Sequence, residues 1–442
     1  MDIYIPENVE KIIDKLEGSG FEAYIVGGCV RDSILGKEPK DYDITTSALP
    51  EQVKTCLDGY SVIDTGIKHG TVTVIADDEY IEITTFRIDG NYSDHRRPDS
   101  VSFSENLLDD LSRRDFTINA MAYNRRTGVI DKFGGQKDLF RRIIKCVGEP
   151  AVRFNEDALR IMRALRFASE LNFTVDTITS AAIHDLRRLL GSVSVERISR
   201  ELNLLLTGAA PSDVLMEYGD VIATFIPELR PCIGFDQHSR YHVYDIWTHT
   251  AVAIEHSKND KDVRLALLLH DIAKPECCHF DEEGNGHFPG HERRGAEIAA
   301  NVLRSLHYSN DTIDTVTTLI KYHYITPIDD KIVVKQLLAT VGTDMFFKLT
   351  EVMKGDSRAK QSFCFERVQI LESMEKKAAE IIENKECISV TQLDINGSDI
   401  AALGAEGKEI GDILARLLSL VIEGKVENIK FELIKSAKAM MN

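Results

Sequence analysis

The sequence predicts an α+β fold in which a head of mixed strands and helices precedes an all-helical body. Three observations carry this expectation. Residues 1 to about 140 alternate short strand-like and helix-like segments. The strand signals fade beyond that point. Five longer segments downstream repeat their apolar residues at helical spacing. A chain of 442 residues, 43% hydrophobic and 28% charged, is long enough for several buried cores. The fading of strand signals near 140, with boundaries near Pro227–Gly234 and about 360, gives expected domains at 1–140, 141–230, 235–360 and 361–442.

Taken in order, Ile12–Leu16 reads as a short amphipathic helix. Ala23–Val26 is an unbroken apolar run and reads as a buried strand entering Gly27-Gly28. Val30–Leu35 reads as a helix stopped by Gly36, and Asp41–Ile44 as a second strand. Thr71–Ala76 and Tyr80–Phe86 alternate apolar and polar residues around Asp77-Asp78, the pattern of a hairpin. In the body, Asp157–Leu171, Val195–Leu206, Asp262–Ile272, Glu292–Leu306 and Asp412–Ile422 carry helical periodicity.

Several classes are excluded or disfavoured. No apolar run approaches the roughly 20 residues of a membrane span, so no membrane partner is expected. The N-terminal ten residues carry Asp2, Glu7 and Glu10 and lack the cationic start and apolar core of a secretory signal. The eight cysteines are scattered and form no CxxC pair, which disfavours a zinc ribbon or a thioredoxin-type couple and suits the cytoplasm. The net charge of −18 argues against a protein coated in nucleic acid. Between Arg113 and Arg166, however, thirteen Lys or Arg stand against six Asp or Glu. An acidic chain with one basic stripe can bind a polyanion there; a solvated helix face is the other reading.

The chemistry of the head starts from Asp41 and Asp43. On a strand, a spacing of two puts both carboxylates on one face, where they can bridge Mg²⁺ ions that share their coordination with substrate phosphates. A dozen residues earlier, Gly27-Gly28 followed by Arg31 supplies a turn that phosphate can approach and a guanidinium that can grip its oxygens. Together these read as a nucleoside triphosphate site. Glu82 is either a third carboxylate or the wet side of its strand, and the second reading is preferred. Arg114 is a candidate triphosphate ligand; Asn119 can reach a sugar hydroxyl or serve a local role. Asp157, Arg160, Arg163 and Arg166 recur every three residues and share a helix face. Cytosine and adenine each present an amino donor beside a ring-nitrogen acceptor. A carboxylate next to a guanidinium, as Asp157 and Arg160 offer, matches both and opposes uracil and guanine.

The ordered segments Val26-Gly-Gly-Cys-Val-Arg-Asp32 with Asp41-Tyr-Asp43, Arg113–Ala122, Phe133-Gly-Gly135, Glu156-Asp-Ala-Leu-Arg160 and Glu196–Glu201 resemble the class II tRNA nucleotidyltransferases, the family of CCA-adding enzymes and bacterial poly(A) polymerases. The resemblance covers residues ~20 to ~206. It implies Mg²⁺ on Asp41 and Asp43, nucleotide contacts from Gly28, Arg31 and Arg114, and base reading by Asp157 and Arg160, with Arg163 and Arg166 on the same face. Thr85–Pro98 resembles the family's flexible loop, associated with the switch from C to A addition, which disfavours an enzyme that adds only C. The implied activity is template-independent addition of C and A to the tRNA 3′ end from CTP and ATP. The alternatives are an A-adding enzyme or poly(A) polymerase, and a phosphohydrolase that uses its N-terminal part to bind RNA.

Further on, His249, His270-Asp271, His291, His323 and Asp356 form an ordered series that resembles the HD-domain metal-dependent phosphohydrolases over about residues 240–360. Imidazoles and carboxylates suit a divalent transition metal. The resemblance implies that His249, His270, Asp271 and Asp356 hold one metal and that His291 and His323 can support a second. A helical domain that keeps these histidines without activity is the plainer alternative. Residues 361–442 resemble the tail of HD-bearing nucleotidyltransferases and read equally as a helical packing module. Nothing in the sequence indicates an oligomeric state.

Overall fold

Strand β1, Ala23–Val26, is buried at all four positions. An Ala-Tyr-Ile-Val run without polar alternation needs partners on both edges and cover on both faces, and the computed structural model supplies them. The structure describes residues 3–441 apart from 91, 93, 94, 96 and 97, and at Thr65 its backbone alone. It divides into two units, Met1–Pro227 and Glu228–Asn442.

In the first unit β1 is followed by β2 (Asp43–Thr46), β3 (Ser61–Gly66), β4 (Thr71–Ala76), β5 (Glu79–Thr85), β6 (Arg87–Asp89), β7 (Val101–Phe103), β8 (Met121–Asn124) and β9 (Gly128–Asp131). Seven of these form one mixed sheet in the order β3-β4-β5-β2-β1-β8-β9, while β6 and β7 pair apart from it. β2 and β5 run parallel, and the other neighbours run antiparallel. The β4–β5 hairpin turns on Asp77 and Asp78, both with positive φ (51° and 63°). Two consecutive left-handed residues match the twist of the flanking strands, and Asp tolerates that conformation better than a branched residue. Helix Glu7–Gly18 buries Val9, Ile12, Ile13 and Leu16, the one-face spacing that lets it cover the sheet. The sheet's other packing includes Tyr24, Val26, Phe86, Leu107, Leu111 and Ala122. Phe86 is fully buried, and burial of that size contributes about 2 kcal/mol.

Three local expectations need correction. The second strand begins at Asp43, so Asp41 lies just before it and not within it. The expected helix Asp157–Leu171 starts only at Leu159, and Asp157 lies in extended backbone (φ −132°, ψ 104°) between it and the preceding helix Pro150–Glu156. The body is not wholly helical: Ile143–Ile144 pairs with Thr174–Val175, and His279–Phe280 pairs with Gly286–His287.

The second unit is built of helices, among them Ile246–Glu255, Lys261–Leu269, His291–Ser305, Asn310–Tyr322 and Thr343–Arg358. The expected helices near 262–272 and 292–306 end or start up to three residues away from these bounds. Leu393, Ile400, Leu417, Leu433 and their neighbours form a core of their own toward the C-terminus. Among the described residues no helix is long and apolar enough to cross a membrane.

Candidate functional site

Register sets the first cluster. Asp43 opens β2 with Val26 of β1 on one side and Glu82 of β5 directly opposite on the other. Directly opposed residues point to the same face, so Glu82 stands beside Asp43 as an exposed carboxylate. Glu82 is thus on the wet face of its strand and also in the cleft beside Asp43. Asp43, Glu82, Arg87, Arg113 and Arg114 line one cleft of about 200 Å³. Asp41 lines a neighbouring cleft of about 560 Å³. Asp43 reaches solvent, yet the protein around it strips part of its hydration. That desolvation, with the charges of Glu82 and Asp41 against the opposing Arg114, pushes its carboxyl up to about 6. Carboxylates that repel one another this way are relieved by a divalent cation, so the residues fit a metal site.

The glycine pair divides its labour. Gly27 has φ +84°, and a Cβ there would come within 3.2 Å of Arg114 Nη1. Gly28 has ordinary backbone, with Arg31 3.7 Å from its virtual Cβ. The close-approach glycine of the pair is therefore Gly27, whereas the resemblance implied a nucleotide contact only from Gly28. Arg114 donates to the buried Asp110 (3.0 Å), while its Nε is buried without a hydrogen bond among the described residues. Arg31 donates to Asp32 and, through Nη1, to Asn119 Oδ1 (2.8 Å).

Asn119 links this arginine to Asp115. Its amide donates to Asp115 Oδ1 (3.1 Å), and Arg163 donates two bonds to Asp115 Oδ2 (2.9 and 2.7 Å). Asn119 therefore has a local partner on each side. Arg31, Arg163 and Arg166 also lie 5.1, 5.3 and 4.0 Å from the ring centroid of Phe167. Burial alone would raise the Asp115 carboxyl. The charge of Arg163, the Asn119 hydrogen bond and the charge of Arg160 outweigh it and hold the group below the usual carboxylate range. A depressed native value stabilises the fold above about pH 4 and is lost as pH falls further. Asp115→Asn is expected to cost about 3 kcal/mol at pH 7, since Arg163 loses its carboxylate partner. Urea unfolding at pH 7 and pH 3.5 checks this: the gap from wild type narrows at the lower pH.

At the base-reading position the two expected partners face other groups. Asp157 accepts from Arg197 Nη2 (3.1 Å) and from the backbone of Leu159. Arg160 donates to Glu156 (2.7 Å) and to the Arg113 carbonyl (2.8 Å). Arg166 lies between Glu170 and Glu201 (3.4 and 3.3 Å). His95 lies against the same helix junction: its ring is 2.6 Å from the Asn155 carbonyl, and its own carbonyl accepts from Ala158 N (3.1 Å). It belongs to the Thr85–Pro98 loop, of which residues 91, 93, 94, 96 and 97 lie outside the described residues.

The second cluster lies in the other unit. His249 is on helix Ile246–Glu255, His270 and Asp271 follow helix Lys261–Leu269, and His291 opens its helix. His323 closes helix Asn310–Tyr322, and Asp356 sits near the end of helix Thr343–Arg358. Gly355 permits this approach, because a Cβ there would meet the Ala253 carbonyl at 2.8 Å. All six residues are buried. Each histidine Nδ1 faces a backbone carbonyl: Ala359 at 3.3 Å, Leu267 at 2.7 Å, Phe288 at 2.7 Å and Ile320 at 2.6 Å. That carbonyl fixes the proton on Nδ1 and turns the Nε2 lone pair inward.

Inside, His249 Nε2 is 3.1 Å from Asp356 Oδ1 and His270 Nε2 is 3.2 Å from Asp271 Oδ2. Lone pairs facing carboxylates need a cation between them or a proton. Among the described residues His270 Nε2, His291 Nε2 and Asp271 Oδ1 are buried without a hydrogen bond. Ligand atoms of His249, His270 and Asp271, and likewise of Asp271, His291 and His323, lie within 4.8 Å of one another. These donors fit one or two divalent metals sharing Asp271. Without metal, burial opposes charging His270, but Asp271 and Asp356 outweigh it and push the ring up to about 9. Lys274 and Lys360 each lie 2.7 Å from one oxygen of Asp271 and Asp356. His242, which no local pattern marks out, lines the same cavity.

Comparison with known proteins agrees with this division. Residues 23–145 match the Poly A polymerase head domain, 172–232 the probable RNA and SrmB-binding site of polymerase A, 240–339 the HD domain and 295–437 the putative tRNA nucleotidyltransferase domain 2. The CCA-adding enzyme of Lactobacillus delbrueckii subsp. bulgaricus is 51% identical over 220 residues, 50% of this chain and 54% of that protein. That of Pediococcus pentosaceus is 46% identical over 234 residues, 53% of this chain and 57% of that one. The chain thus aligns with about half the length of these relatives. The crystal structure of the Bacillus stearothermophilus CCA-adding enzyme in complex with CTP matches with a TM-score of 0.73 and 29% identity, over 98% of this chain and 97% of that one. The Thermotoga maritima CCA-adding enzyme complexed with tRNA shares the fold at 20% identity, with a TM-score of 0.61 over 100% and 97% of the two chains. Nucleotidyltransferase and HD domains both imply the use of divalent metal. From the ordered motifs, the domain matches and the shared fold, the chain belongs to the class II tRNA nucleotidyltransferase and poly(A) polymerase family and carries an HD domain in its helical half.

Proposed function

We propose that the chain adds C and A nucleotides to the 3′ end of tRNA from CTP and ATP, without a nucleic-acid template. The observation that carries this is the Asp43–Glu82 pair in register beside Arg114 in one cleft, with Asp41 adjoining. Asp41 and Asp43, with Glu82 alongside, would hold Mg²⁺. That ion supplies charge for the primer hydroxyl and for the pyrophosphate leaving group. Gly27 and Gly28 admit the triphosphate to the helix start, and Arg31 and Arg114 present donors to its oxygens. Asp157 and Arg160 read the base edge, Asp157 as acceptor and Arg160 as donor, oriented by Arg197 and Glu156. With tRNA as substrate, the reading is of a cytoplasmic enzyme.

The test is incubation with tRNA lacking its 3′ CCA and each labelled nucleotide in turn, followed by product sizing. Stepwise addition of two C and one A is expected. Growth from ATP alone would assign an A-adding enzyme or poly(A) polymerase instead. Asp157→Ala or Arg160→Ala is expected to slow CTP and ATP use and narrow discrimination against UTP and GTP by about 5- to 150-fold, the equivalent of ~1–3 kcal/mol for one unmatched hydrogen-bond partner. Competition between labelled CTP and UTP measures it; unchanged selectivity would place base reading elsewhere.

The inward, unpartnered Nε2 atoms favour a second activity. The HD cluster would hold a divalent transition metal and hydrolyse phosphoesters, as the same metals lower the pKa of bound water.

A further inference from the structure

The metal-ligand cluster occupies only the floor of its cavity, which encloses about 900 Å³. Among the segments without metal ligands that wall the rest are 239–242 and 360–367. Three of their features point to a ligand. His242 turns both ring nitrogens away from water with no hydrogen bond to either among the described residues, an arrangement that costs free energy unless something in the cavity completes it. In either protonation state an imidazole carries an N–H to give. Tyr241 and Phe363, with centroids 5.8 Å apart, leave 43% and 58% of their surface exposed along the cavity. Arg240 donates to the Tyr241 hydroxyl (2.7 Å) and covers its ring at 4.9 Å. Exposed rings backed by cations are what a nucleobase stacks on and a phosphate is drawn to.

We propose that Arg240, Tyr241, His242 and Phe363 form a nucleoside-phosphate subsite of the HD cavity. The base stacks on Tyr241 and Phe363, and a non-bridging phosphate oxygen accepts from the His242 imidazole. This rests on the phosphoesterase reading of the cluster beneath it. In that hydrolysis a water oxygen joins phosphorus, the P–O ester bond breaks, and the alcohol leaves with one of the water's protons. A ribonucleoside phosphate occurs both as a free mononucleotide and at the end of an RNA, and the test separates the two.

The full-length protein, loaded with Mn²⁺, is assayed on adenosine 3′-monophosphate, on an RNA 12-mer ending in a 3′-phosphate, and on ribose 5-phosphate, which has no base. Tyr241→Ala/Phe363→Ala is expected to raise KM for the nucleotide at least tenfold, within the range of lost base stacking, and to leave KM for ribose 5-phosphate within twofold. His242→Ala is expected to raise KM on all three substrates with unchanged metal content by elemental analysis. His242→Gln, which keeps a donor, recovers to within threefold. A lower KM for the RNA assigns the RNA end, and a lower KM for the mononucleotide assigns the free nucleotide. An unchanged nucleotide KM in the double variant, with hydrolysis intact, overturns the subsite and leaves the phosphoesterase reading standing. If wild type turns over none of the three yet binds adenosine 3′-monophosphate in calorimetry, and the double variant does not, the subsite stands and the hydrolytic reading falls. Neither turnover nor binding overturns both.

Discussion

Asp43→Asn is expected to lower nucleotide addition from CTP and from ATP by at least three orders of magnitude while leaving the fold intact. The change keeps the shape of the side chain and removes one charge. A metal clamp on the reacting oxygens is worth several kcal/mol in the transition state, and each ~1.4 kcal/mol is a factor of ten in rate. Stability should move the other way. In the metal-free protein Asp43 is held up to about 6 by desolvation and by Glu82 and Asp41. A carboxyl raised in the native state favours folding when protonated, and that advantage fades between about pH 4 and pH 6. With chelator present, the asparagine variant is therefore expected to melt at or above the wild-type temperature at pH 7.5, and the two should converge near pH 4. Glu82→Gln should show a smaller fall in rate and a similar gain in metal-free stability, because it removes one member of the same repulsive set. Wild-type addition by Asp43→Asn would remove Asp43 from the metal site and with it the reading of the cleft.

Local spacing made much of both clusters readable, and non-local pairing hid the rest. The buried Ala23–Val26 strand, the Asp77-Asp78 turn and the helices of the body each follow from a pattern within a dozen residues. Asp41 and Asp43 stand out as a pair, but their common strand does not exist. The ladder begins at Asp43, and the two carboxylates adjoin through the chain's entry into β2. Glu82 could be placed only by knowing that β5 lies parallel to β2, a pairing across some forty residues that no periodicity records. The arginines were visible as a stripe, but their charge partners were not. Asp110, Asp115, Glu156 and Glu201 come from neighbouring elements and turn part of a phosphate-binding face into an internal network. Asp157 looked helical because residues at three-residue spacing continue past it; the chain breaks there, and its carboxylate accepts from Leu159 N and Arg197. The HD series survives as a readable order because each ligand sits at or near a helix end. His242 lies ahead of its helix, and only the cavity reveals it.

Asp271→Asn is expected to empty the HD cluster of metal and abolish its hydrolytic activity while leaving nucleotide addition within twofold of wild type. Asp271 is the one residue common to both groups of candidate ligands. His249 and His270 lie on one side of it, His291 and His323 on the other. Losing its charge weakens both groups at once, whereas His291→Ala touches only the second. Elemental analysis should thus find near-zero metal in Asp271→Asn and at least half the wild-type content in His291→Ala. Asparagine still offers the Lys274 ammonium an oxygen, which Asp271 Oδ2 holds at 2.7 Å; alanine would leave that buried cation alone, at a cost of about 3–5 kcal/mol. For that reason the amide variant is the informative one, and its melting temperature is measured beside its metal content. Addition should persist because no ligand of the HD cluster belongs to the Asp41–Asp43–Glu82 cleft. Metal retained at wild-type level in Asp271→Asn would show that this aspartate is a partner of Lys274 and not a ligand. Addition lost with the fold and the melting temperature unchanged would show that the two chemistries are coupled.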